Sequence, residues 1–181
     1  MKQITVSEYL KLPDLKRLEY DVLLPSLKPK EWLTIEINSL TYNEVKSIYK
    51  ILQKATEIKD IEKVFDYAFK MTSYDFYNLP ITKYFQLKKY LSNYFVILHK
   101  KESDLLNSIS ADIGIWQQAG GDSLNEFSDV LPLSQLAKIY GGYPFDYGQK
   151  KYVEIVYLLR MNNVQSQVEN EYQKLKNGRL S

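Results

Sequence analysis

The sequence predicts a mainly helical protein with one small N-terminal β-hairpin or ribbon. Three observations carry that expectation. Apolar residues recur at helical spacing behind capping boxes and prolines along most of the chain. Two short alternating runs lie between residues 17 and 38. The chain of 181 residues is 45% apolar, enough to enclose a core.

Each element has a local signature. Thr5-Val6-Ser7-Glu8 has capping-box spacing ahead of Tyr9, Leu10 and Leu12, predicting a short helix closed by Pro13. In Arg17–Leu24, Leu18, Tyr20 and Val22 alternate with polar residues; Leu33–Asn38 alternates again, and the turn-rich Pro25–Lys30 connects the two. This reads as a two-stranded ribbon. Alone it is marginal in water, so it is expected to lie on the helices or against another chain's edge.

From Thr41 the period becomes helical. Thr41-x-x-Glu44 opens a helix through Val45, Ile48, Tyr49, Ile51 and Leu52, with Lys46, Lys50 and Lys54 on its wet face. Asp60 is expected to cap a helix through Ile61, Val64, Phe65, Ala68 and Phe69. Pro80 suits the first position of a long helix, whose end is expected near His99 to Glu102. Gly114, Gly120 and Gly121 mark an elbow, dividing the chain into residues 1–110, ribbon plus helices, and residues 122–181, a helical C-terminal domain. There, Ser123-x-x-Glu126 is expected to cap the segment after it, and Leu131–Tyr140 is a short helix stopped by Gly141-Gly142. The last helix is expected to carry Tyr152, Ile155, Val156, Leu159, Val164, Val168, Tyr172 and Leu175 on one stripe, with Gly178 as its stop.

Composition excludes more chemistry than it offers. There is no cysteine, hence no disulfide, thiolate metal site or cysteine nucleophile. The single histidine, His99, stands beside Lys100 and Lys101, which speaks against a metal site or a catalytic triad. Neither G-x-x-x-x-G-K-[ST] nor G-x-G-x-x-G occurs, and no cofactor is expected. Carboxylates such as Glu169 and Glu171 are two apart on a helix and so point to different faces. With no site to carry catalysis, the chain is expected not to be an enzyme. Net charge is only +2, against a dedicated nucleic-acid binder. No apolar run reaches the roughly 18–20 residues of a membrane span, and the opening MKQITVSEYL lacks a signal peptide's apolar stretch.

Two features point to contact surfaces. Residues 46–101 hold eleven lysines and five acids, a surplus of +6, whereas residues 102–137 hold six acids and no Lys or Arg. Ordinary solvated faces explain this; complementary ends for self-association in a row or ring are the functional reading. The aromatic turn of Tyr140, Tyr143, Phe145 and Tyr147, with Trp116, is the candidate partner-binding surface, against the plainer reading of a packed elbow.

Leu23-Leu24-Pro25-Ser26, an alternating run, then Leu40-Thr41-x-x-Glu44 resembles the opening of baseplate hub assembly proteins of contractile-tailed bacteriophages. Asn78-Leu79-Pro80-Ile81 followed by Tyr84-Phe85-x-Leu87 resembles the segment that begins a late helix in those proteins, and similar patterns occur in tail assembly chaperones. Leu136-Ala137-Lys138-Ile139-Tyr140-Gly141-Gly142 looks like an element of short phage tail proteins. The Pro29–Trp32 connector lacks the glycine of the hub-protein turn. The resemblance covers about 100 residues in scattered pieces and brings no catalytic residue. It implies an assembly protein working in the host cytoplasm, with tail or baseplate proteins, including the tape-measure protein, as partners. The alternatives are a permanent virion subunit, such as a head-to-tail connector or baseplate component, and a nucleic-acid-binding regulator.

Overall fold

The structure, a computed structural model, describes residues 3–29, 35, 37–54, 57–106 and 120–178. These form nine α-helices: α1 (Val6–Leu10), α2 (Asp14–Leu23), α3 (Tyr42–Lys54), α4 (Ile58–Phe69), α5 (Ser73–Asn78), α6 (Ile81–Leu106), α7 (Leu131–Tyr140), α8 (Pro144–Gly148) and α9 (Tyr152–Gly178). Short 3-10 turns occupy Leu24–Ser26, Ile37–Ser39 and Gly121–Phe127. Among the described residues there is no strand; β-type pairing is limited to isolated bridges at Thr5–Pro80 and Thr41–Lys151. The chain divides into two compact units, Met1–Leu40 with Glu44–His99, and Thr41–Asn43 with Lys100–Ser181. The elbow expected at Gly114 lies outside the described residues.

The N-terminal hairpin is not seen. Its first arm is helix α2, in which Tyr20 and, just beyond the helix, Leu24 are buried one turn apart while Leu18 and Val22 are exposed. Leu, Lys, Arg and Glu are strong helix formers, Pro13 precedes the first turn and Asp14 sits within it. The alternation of Leu18, Tyr20 and Val22 is a coincidence of spacing; burial follows the helical period. The second arm is largely outside the described residues, apart from buried Ile35 and the turn at Ile37–Ser39.

The first unit is built on capped helices and an aromatic core. Thr5 and Glu8 form the capping box of α1, each side chain accepting from the other's backbone N–H. The N-terminal segment then ties to the start of α6 through Val6 N–H to Leu79 O and Ile81 N–H to Ile4 O. Helix α4 begins at Ile58, so Asp60 lies within its first turn rather than at its cap. Phe65, Phe76 and Tyr84 are fully buried, with Phe65 on Phe76 at 5.2 Å edge-on and Phe65 stacked on Tyr84 at 5.8 Å. Helix α6 continues through His99, which lies in the helix rather than at its C-terminus and stacks on Tyr49 at 4.2 Å.

The second unit centres on Leu133, Leu136, Tyr147, Tyr152, Ile155 and Leu159, all buried. Ser123 is not an α-helical cap; it lies inside the 3-10 turn, its hydroxyl donating to Gly120 O. Tyr42 stacks on Tyr152 at 6.2 Å, and the Tyr152 hydroxyl donates to the buried Glu102 carboxylate at 3.2 Å. Burial, then the nearby Glu102 and Asp129, pushes the Tyr42 hydroxyl well above the usual tyrosine range. At Gly148 an added Cβ would run into the Asn43 side-chain amide, so a larger residue there would displace that side chain.

Candidate interaction surfaces

The aromatic turn depends on two glycines. Gly141 and Gly142 have φ of +79° and +89°, the left-handed region where glycine carries no steric cost. They end α7 and reverse the chain, and Pro144 then starts α8. The Tyr147 hydroxyl donates to Gly141 O at 2.8 Å, closing the turn from inside, and the Lys150 ammonium lies 5.0 Å from the Tyr147 ring. Tyr143 and Phe145 face outward with ring centroids 5.4 Å apart. Tyr140 is half exposed and donates to Asn162 of α9 at 2.9 Å. The turn therefore gathers Tyr140, Tyr143, Phe145 and Tyr147, but Tyr147 is a packing residue and only the other three present surface. Trp116 lies outside the described residues.

Helix α9 offers a longer surface. The residues expected on one stripe fall on two. Tyr152, Ile155 and Leu159 are buried in the second unit. Val153, Tyr157, Met161, Val164, Val168, Tyr172 and Leu175 are all exposed, from 38% at Val153 to 68% at Tyr157. At 100° per residue the two sets lie about 180° apart around the helix axis. Beyond Leu159 the positions that continue the buried face are Asn162, Ser166, Asn170, Gln173 and Asn177. The inner face thus turns polar, while the outer face stays apolar to Leu175. The signal that separates the two faces is the angle of each residue around the helix axis, which the spacing between apolar residues conceals.

The first unit holds a cavity of about 760 Å³ whose wall includes Tyr9, Arg17, Asp21, Tyr84, Phe85 and Lys88. The Tyr9 hydroxyl donates to Asp21 at 2.6 Å, and burial together with this carboxylate pushes it well above the usual tyrosine range. Burial holds the Lys88 ammonium below the usual lysine range, opposed by Asp21. Arg17 pairs with Asp14 through Nη2, while its Nε is buried without a hydrogen-bond partner. Asp14, Asp21 and Glu57 face Arg17, Lys59 and Lys88 around this cavity, so its charges balance and favour no ion of either sign. Among the described residues no group of three His, Asp or Glu is placed to hold a metal, and no helix is long and apolar enough to cross a membrane.

No family model, curated protein or solved structure matches the chain.

Proposed function

We propose that this protein is a non-enzymatic assembly protein that works through protein–protein contacts, in the tail or baseplate of a phage as the sequence resemblance implies. The observation that carries the reading is the outer face of α9. Seven apolar side chains stay in water along that face, and the opposite face of the same helix is polar wherever it leaves the core. Beyond Leu159 the only apolar side of this helix is the one left in water, and such a face is built to be covered by something else. The exposed rings of Tyr143 and Phe145 add a second, smaller contact. In this role the protein holds an amphipathic partner during assembly and performs no covalent chemistry.

The test is quantitative mass spectrometry of purified particles beside the lysate of producing cells. Presence only in the lysate, bound to a tail or baseplate protein, supports the assembly-factor role. A fixed whole-number ratio to a ring or baseplate component would instead make the protein a permanent virion subunit. A chain found with no tail or baseplate protein in either sample overturns the phage reading.

A further inference from the structure

We propose that α9 pairs antiparallel with α9 of a second copy of this chain, making the protein a dimer whose two outer faces cover each other. The proposal rests on the reading of this face as an interaction surface and names what covers it first.

Three features of the helix point to a copy of itself. The first is the repeat. Val153, Val164 and Leu175 are eleven residues apart, as are Tyr157 and Val168, and Met161 and Tyr172. An eleven-residue repeat corresponds to about 3.67 residues per turn, so the apolar seam stays on one side of a nearly straight helix. From Val153 to Leu175 it is about 33 Å long. A seam of that length and regularity fits another helix of equal length better than a compact patch.

The second feature is charge. Arg160 and Glu171 flank one edge of the seam, and Glu154 and Lys176 flank the other. Antiparallel helices of identical sequence bring like edges together. Reversal about the level between Gln165 and Ser166 sets Arg160 level with the partner's Glu171 and Glu154 within one residue of the partner's Lys176. Symmetry repeats each pair, giving opposite charges at every flanking contact. Parallel pairing brings unlike edges together and leaves Arg160 facing the partner's uncharged Gln165. The contact of Glu171 with Lys174 in its own helix is an exposed pair at 2.8 Å and competes only weakly.

The third feature is shape. The same reversal brings Val164 within one residue of the level of the partner's Val168, and Tyr157 within one residue of the partner's Leu175. The partner's Leu175 then meets the rim of a shallow, mainly apolar depression of about 440 Å³ lined by Val153, Glu154, Tyr157 and Leu158. A leucine entering a hollow between four side chains is how paired helices pack. Charge and shape thus select the same register.

The experiment uses the full chain in sedimentation equilibrium from about 1 to 100 µM, the range of micromolar pairing. The expected result is a dimer, with Val164→Glu/Val168→Glu shifting it to monomer while helical content holds and the melting temperature falls only to that of the dilute, monomeric wild type, since both side chains are exposed in the single chain. Arg160→Glu is expected to weaken pairing about tenfold or more, and Arg160→Glu/Glu171→Arg to restore it. Direction is read by disulfides, which are unambiguous in a chain without cysteine. Tyr157→Cys/Leu175→Cys is expected to give a disulfide-linked dimer, and neither single variant is. The two positions are about 27 Å apart along one helix, too far to join within one chain. A linked dimer from either single variant overturns the antiparallel direction. A wild-type chain monomeric at about 100 µM overturns the pairing itself. The assembly reading is judged separately, by the protein's partners in particles and lysate.

Discussion

The aromatic core of the first unit and the aromatic turn of the second put their rings to opposite uses. In the first unit, rings from positions far apart in the chain meet in the core: Phe65 from α4 and Phe76 from α5 pack on Tyr84 from α6, and Tyr9 from α1 packs on the adjacent Phe85. In the second unit, four rings stand within the eight residues from Tyr140 to Tyr147, and only Tyr147 is buried. The difference is one of enclosure. A buried ring needs atoms on every side, and those atoms come from several helices. A single short turn has too little chain to enclose its own rings, so all but the innermost remain at the surface.

The largest loss is expected from Phe76→Ala, which leaves a cavity against Phe65 and Tyr84. It is expected to cost about 3–5 kcal/mol in urea denaturation, and an unchanged midpoint would contradict the enclosed core. Alkali gives a second test. The hydroxyls of Tyr9 and Tyr84 are both raised, chiefly by burial, so folding disfavours their ionised forms. Their contribution to stability is complete below the ordinary tyrosine value of about 10 and is lost as pH rises above it. Phenolate absorbance from these two residues is expected only as helical circular dichroism disappears; ionisation of both in a folded chain would contradict their burial.

Smaller losses are expected in the second unit. Tyr152→Phe removes a donor from the buried Glu102 carboxylate and is expected to cost about 1–3 kcal/mol, measured by denaturant midpoint. Tyr147→Phe loses one hydrogen bond to the Gly141 carbonyl, an effect of about 1 kcal/mol by the same measurement. Tyr143→Ser/Phe145→Ser, at exposed positions, is expected to change stability by no more than about 0.5 kcal/mol while weakening partner binding in a pull-down. A large loss of stability there would make the whole turn a packing element.

Local signals along the chain are sound where the interaction is itself local. The Thr5–Glu8 capping box joins atoms three residues apart, and the Gly141-Gly142 stop depends on the backbone freedom of those two residues. Both are legible for that reason. The ribbon expected at Arg17–Leu24 fails because alternation and a helical period coincide over so short a run, and the packing of Tyr20 and Leu24 decides between them. The short helix α5 escapes sequence reasoning: Thr72 caps it, but its six residues are too few to display a period. Of the candidate surface, the aromatic turn is visible as a cluster of residue types, whereas the inward direction of Tyr147 is not. The two faces of α9 are present in the residue order, but spacing alone merges them into one.

By itself the sequence determined that this chain is mainly helical, that it has no cysteine chemistry, and that apolar side chains persist along its last helix to Leu175. Composition and local period suffice for those conclusions because they require no knowledge of what lies across the chain. Only the tertiary structure decided which side of each apolar element is inside. Burial of Tyr152, Ile155 and Leu159 fixes the inner face of α9, and only then does the stripe from Val153 to Leu175 become an outer surface. Hydrophobicity draws a side chain out of water without specifying against what, and that choice is made by the neighbours the fold supplies.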